Sequence, residues 1–311
     1  MANLLPVCAL WRGPAILIKV RHTLRYLAAA LLLAGVAACS GPAPEGIDGD
    51  LTDGWAMLPA ATPFRPVVGE CHESLVEVAG MADHRPVDCA ELHVAETFYV
   101  GDGPDAPVAP SGGSAAMHAA YADCSGRAAK FLGGPWRGAR IVVRVAWPSR
   151  EGWSGGARWF RCDVAQADLD GSSDTSRTGS LAGALKADSE LRLGCFNPKV
   201  NAEVVRTMTA IACTEAHAAE FAGLWTAPDI RYAEQIKDRE RSAAGCRSAI
   251  ARFTGVPDDD DVQYRSGWIS YNPTRTEWQQ GERRVRCFLW FRGGKLTRSL
   301  SGAGPSALPV R

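Results

Sequence analysis

The period of hydrophobic and polar positions changes along this chain, and each change predicts an element. A basic stretch, Val20–Tyr26, leads into an apolar run, Leu27–Val36. From Ala202 to Cys213 polar and apolar residues alternate and β-branched side chains are frequent, as in a strand. Ala95–Val100 and Ala219–Trp225 read as a second strand, found in two places; a variable loop, 101–113, follows the first. Segments 115–131 and 232–253 are rich in helix formers. In the first of them Cys124, Ala128 and Phe131 share one face at i, i+4 and i+7 spacing. Gly133 with Pro135, and Gly255 with Pro257, stop these helices. Strands are expected again at 139–147, 157–164 and 283–290, with a polar loop at 169–176. Ser180-Leu181-Ala182-Gly183 and Ser299-Leu300-Ser301-Gly302 are expected to add a final edge strand. The class that follows is α+β, with antiparallel sheets each crossed by one main helix.

The elements recur because the sequence repeats. Both halves carry C-x17-C running into C-x3-H-x2-E: Cys71, Cys89, His93 and Glu96, then Cys195, Cys213, His217 and Glu220. Both continue with C-x6-F-x-G-x-P, starting at Cys124 and Cys246, and close with P-x4-W-x2-G-x5-C, through Trp153 to Cys162 and Trp278 to Cys287. Chance does not match so many spaced positions, so two tandem small domains are expected, each able to fold by itself.

The N-terminus explains why the cysteines should be oxidised. A basic segment, a short apolar run and Val36-Ala37-Ala38 before Cys39 form an export signal, and Cys39 in that place resembles a bacterial lipobox. The resemblance implies cleavage before Cys39 and acylation of its sulfur. The apolar run is too short for a stable membrane span. Translation is expected to begin at Val20, which would leave Cys8 outside the precursor. The expected organisation is therefore a signal peptide at 1–38, a Gly-, Pro- and acid-rich tether at 39–64, domains at 65–186 and 187–304, and a tail at 305–311.

Export makes disulfides the default for the eight cysteines after Cys39. More than one pairing within a copy is open. The favoured set is Cys71–Cys89 and Cys124–Cys162, then Cys195–Cys213 and Cys246–Cys287, with none between copies. The first bridge of each copy would close a hairpin-like excursion, and the second would pin the helix to the last core strand. Zinc would need thiolates and short C-x2-4-C spacings, which are missing. Lys plus Arg and Asp plus Glu each total 34, so no net field attracts nucleic acid. Arg137, Arg140 and Arg144 form a basic stretch in the first copy where the second has Asp258–Asp261. Opposite charges there read as solvated surface or as complementary faces.

Candidate chemistry is sparse. His93 with Glu96 and His217 with Glu220 could hold a base oriented by an acid, or bind a ligand. No Ser, Lys or free Cys recurs beside them as a nucleophile, so a turn-holding hydrogen bond is the favoured role. Trp153 and Trp278, each in an expected turn, could stack on a sugar or a partner, but capping a small core is favoured. No phosphate loop, dinucleotide fingerprint or nucleophile elbow is present. No catalytic residue, metal ligand or cofactor is assigned.

The cysteine frame, C-x3-H-x2-E, W-x2-G-x5-C and the terminal Ser-Leu-x-Gly together resemble the septum-formation domain of actinobacterial envelope proteins. The resemblance covers both copies. It implies a secreted or membrane-tethered module serving cell division or envelope upkeep, and it brings no catalytic residues with it. The expected function is a lipid-anchored, non-enzymatic binding or scaffold protein at the outer face of the cytoplasmic membrane. Its expected partners are the membrane, through the anchor, and cell-wall polymer or division proteins. The alternative is an envelope hydrolase or metal-dependent enzyme using the His–Glu pairs.

Overall fold

A computed structural model describes residues 62–308, apart from 77, 80–83, 187 and 203. The expected signal segment, Cys39 and most of the tether lie outside the described residues. Among those described, no helix is long and apolar enough to cross a membrane.

Each half builds one sheet. In the first, β1 (Cys71–His72), β2 (Val78–Ala79), β3 (Pro86–Val87), β4 (Ala95–Asp102), β5 (Ile141–Pro148) and β6 (Trp159–Ala167) lie in the order β2-β5-β6-β4-β1-β3, and β7 (Asp174–Thr175) adds to β6. In the second, β8 (Cys195–Asn201), β9 (Val204–Ile211), β10 (Ala219–Thr226), β11 (Gly267–Tyr271) and β12 (Arg284–Trp290) lie in the order β11-β12-β10-β8-β9. Read across, β5 matches β11, β6 matches β12, β4 matches β10, β1 matches β8 and β3 matches β9. All pairings are antiparallel except β2 with β5. The α+β class and the two sheet-based halves agree with the sequence.

Helix α1 (Ala115–Leu132) lies on the first sheet. Ser114 caps its start by accepting from the Met117 amide, and left-handed Gly133 ends it. Its buried face is Met117, Tyr121, Cys124, Ala128 and Leu132, while Phe131 stays at the margin and stacks on Phe98 at 5.4 Å. The single helix expected at 232–253 is instead two, α3 (Tyr232–Lys237) and α4 (Arg239–Thr254). Asp238 breaks the run because its side chain accepts from the Arg241 amide, which starts a new helix. The four bridges are Cys71–Cys89, Cys124–Cys162, Cys195–Cys213 and Cys246–Cys287, the set favoured from the spacing. The second and fourth tie α1 to β6 and α4 to β12. Closing loops of 18 to 41 residues, they stabilise by about 2–4 kcal/mol each.

Three further expectations are corrected. The Trp153 and Trp278 segments are not turns but short helices, α2 (Arg150–Ser154) and α5 (Arg275–Gln280), each capped by a hydroxyl. The 169–176 loop contributes β7, which pairs with Gln166 and Ala167. The Ser-Leu-x-Gly segments form turns rather than an edge strand, because Glu96 and Glu220 capture them.

The halves are not separate beads: Thr62 onward forms one compact unit. The basic stretch of the first half is part of the reason. Arg144 meets Glu277 at 3.3 Å with both side chains buried, and Arg137 meets Glu282 at 2.6 Å. Glu282 also accepts from the Tyr121 hydroxyl and the amides of Arg283 and Arg284. Burial pushes its carboxyl up, but Arg137 and the donors outweigh this and hold it low. The Asp258–Asp261 run has no part in this contact; Asp259 caps a 3-10 turn at 260–264. Gln280 is buried against β5, where its Oε1 accepts from the Val145 amide at 2.9 Å and its Nε2 donates to the Val145 carbonyl at 3.1 Å. Arg286 donates to the carbonyls of Leu169 and Ile141. Leu169 in turn packs on the core formed by Phe196, Met208, Ile269 and Phe288.

Candidate functional site

The two His–Glu pairs lie at equivalent places, where each chain half returns to its sheet. His93 and His217 direct Nδ1 at the carbonyls of Glu91 and Glu215, at 2.9 and 2.7 Å. Glu96 accepts from the Ser180 hydroxyl at 2.6 Å and the Leu181 amide at 2.7 Å. Glu220 accepts from the Ser299 hydroxyl at 2.7 Å and the Leu300 amide at 3.1 Å, and its Oε1 lies 3.1 Å from His217 Nε2. Each carboxylate is thus a clasp that folds the following turn inward and drives Leu181 or Leu300 into the core. All four side chains are buried. Cys71, Cys89 and Glu96 cluster, as do Cys195, His217 and Glu220. The sulfurs are spent in disulfides, so neither cluster offers a thiolate to a metal.

The tryptophans are also consumed by the fold. Trp153 donates Nε1 to the Ala106 carbonyl at 2.7 Å and Trp278 to that of Ile230 at 2.9 Å. Arg158 and Arg283 stack on them at 4.5 and 4.2 Å while donating to the Trp153 and Trp278 carbonyls. Both rings are core, with no open face for a sugar.

Sequence reasoning missed one buried polar chain. His72 Nε2 lies 2.9 Å from Thr97 Oγ1, which donates to Asp163 at 2.7 Å, and Arg161 Nε donates to the same carboxylate at 2.8 Å. Burial, reinforced by Arg161, holds the His72 imidazole down at about 4, and burial pushes the Asp163 carboxyl up. The second half places Phe196, Phe221 and Phe288 at the matching positions, where they pack edge to face at 5.5–5.6 Å. Aligning the two copies position by position would have exposed this exchange of a polar core for an aromatic one.

An open cavity lies elsewhere, along β11. It encloses about 630 Å³ between that strand, the start of β9 and the first turns of α4. Trp268 and Trp290 line it, with Arg239, Arg247 and Arg292, and Arg247 is paired with Glu240. Val204 and Ile236 stand at it half exposed, at 50% and 45%. Buried Gln235 donates Nε2 to Ser242 and Asn272, leaving its Oε1 without a partner. Such a surface can hold a partly apolar ligand; among the described residues it brings together no acid, base and nucleophile.

A family model described as septum formation matches residues 68–287, in one span that runs through both halves. No curated protein and no solved structure matches the chain.

Proposed function

Because the chain belongs to the septum-formation family, we propose that it is a lipid-anchored envelope protein acting in cell division as a binding or scaffold module. Family membership gives the coarse role, septum formation at the cell envelope. The sequence supplies the address: the lipobox-like Val36-Ala37-Ala38-Cys39 implies an acyl anchor, and the tether to residue 64 would hold domains 65–186 and 187–304 off the outer face of the cytoplasmic membrane. One observation carries the binding role. The His–Glu pairs, the recurring motif with a catalytic look, are buried in the clasps, whereas the cavity along β11 is open. A hydrolase working through His93 and His217 would lack access to its substrate. The partners proposed are division proteins or cell-wall polymer.

The test is fractionation and cross-linking of full-length protein in dividing cells. Wild type should stay with membranes and cross-link at division sites, and Cys39→Ala should release it. Membrane retention of Cys39→Ala would refute the anchor. A hydrolytic turnover abolished by His93→Ala/His217→Ala in a protein that still folds would refute the non-enzymatic role.

A further inference from the structure

We propose that β9 is a dimerisation edge, where two copies of this chain join their second sheets strand to strand about a two-fold axis at Thr209. This adds a second copy to the proposed scaffold and does not depend on the anchor. β9 is the outermost strand of the second sheet and is eight residues long; among the described residues its hydrogen-bonded neighbour is β8. The register fixes which backbone groups point away. The Phe221 amide donates to the Gly194 carbonyl, and the same ladder sets Ala219 opposite Phe196 and Glu220 opposite Cys195. Phe196 therefore turns its amide and carbonyl toward β10, and Cys195 turns its own toward β9. Along β9, Ile211, Thr209 and Thr207 face back to Cys195, Asn197 and Lys199. Ala210 and Met208, opposite Phe196 and Pro198, aim their amides and carbonyls outward. Among the described residues, no hydrogen bond reaches those outward groups.

The first half shows the same edge blunted. Pro86 lies opposite His72 as Ala210 lies opposite Phe196. Proline has no amide to offer a further strand, and β3 is only two residues long. The second half keeps the amide and lengthens the strand. What fits it is another β9. With the axis at Thr209, Met208 of each copy meets Ala210 of the other, and every outward amide finds an outward carbonyl. Thr209 then lies against itself, and Thr207 lies against Ile211. No charge is set against a like charge, because Thr207 to Ile211 contains none. Arg206 sits at the bulge in the β8–β9 ladder, outside the paired stretch. Thr207, Thr209 and Ala210 are exposed, and a groove of about 300 Å³ lies open beside Met208 and Ala210. A contact of one short strand buries far less than the roughly 1,600 Å² of a standard interface. The dimer is therefore weak and reversible, and crowding of copies favours it.

The test uses the full-length protein in detergent micelles. Thr209→Cys should give a disulfide-linked dimer in air, joined through that residue on peptide mapping, because the axis brings the position within about 5 Å of itself. Thr207→Cys should not, since its own copy lies about 13 Å along the partner strand. Ala210→Pro installs the residue of the first half and removes two of the four hydrogen bonds between copies. It should weaken dimerisation about thirtyfold in sedimentation across a dilution series. Thr209→Arg sets like charges against each other and should leave a folded monomer; it decides the matter if Ala210→Pro does not fold. No linked dimer from Thr209→Cys, an equal yield from Thr207→Cys, or a dimer indifferent to Thr209→Arg overturns the proposal. Cys39→Ala should dimerise as wild type does. A monomer that still stays with membranes and cross-links at division sites would remove only the β9 assignment, and the tethered binder would stand.

Discussion

Glu220→Gln separates a clasp from a catalyst. The carboxylate is buried and accepts from the Ser299 hydroxyl and the Leu300 amide, with His217 Nε2 at 3.1 Å. The amide keeps the shape but replaces one acceptor oxygen by a donor, which must face one of these groups. A hydrogen bond to a charged group contributes about 1.5–3 kcal/mol. Losing one and weakening another should cost about 2–4 kcal/mol. The turn it holds carries Leu300, packed with Ile250, Val256, Leu289 and Leu308, and a released leucine forfeits about 1.5–3 kcal/mol more. Near 250 residues, about 3 kcal/mol lowers Tm by roughly 6–12 °C. Urea unfolding by tryptophan fluorescence measures the loss, and trypsin cleavage at exposed Lys295 and Arg298 beside the clasp should speed up. A change below about 0.5 kcal/mol with unaltered cleavage would refute the reasoning and return Glu220 to the list of ligand-binding residues.

Three other outcomes are expected. His72 binds a proton near pH 4 when folded and near 6.5 when unfolded, so its contribution is complete above 6.5 and is lost as pH falls from 6.5 to 4. The loss reaches about 3 kcal/mol, and His72→Phe, the residue at the matching Phe196, should remove that part of the acid slope in paired urea titrations. Gln280→Ala leaves the Val145 amide and carbonyl buried without partners and should cost about 2–4 kcal/mol, with faster exchange of that amide; an unchanged midpoint would contradict the joint between halves. Removing the Cys246–Cys287 bridge should cost about 2–5 kcal/mol. Because the halves share one unit, calorimetry should show both lowered in a single transition, and a first half melting at its original temperature would restore the picture of independent copies.

What the sequence determined by itself was everything local or repeated. Short motifs with the same internal spacing in two copies marked the cysteine frame, and pairing within a copy follows because a bridge forms most readily between residues one small unit already holds together. Periodicity placed α1 because an amphipathic face records its own burial. The expectation of a signal segment and of an acylated Cys39 rests on residue order alone. Tertiary structure decided the rest. The Glu96–Ser180 and Glu220–Ser299 contacts join residues 84 and 79 positions apart, and no local pattern shows that a carboxylate will capture a distant turn instead of meeting water. Gln280 and Arg286 look like surface residues until the other half supplies Val145, Ile141 and Leu169 as partners. The unequal treatment of β5 and β11 is likewise invisible in the chain. Both are short β-rich runs, and only folding shows that β2, Gln280 and Arg286 reach the edge of β5 while none of the described residues hydrogen-bonds that of β11, because covering depends on where distant segments end up.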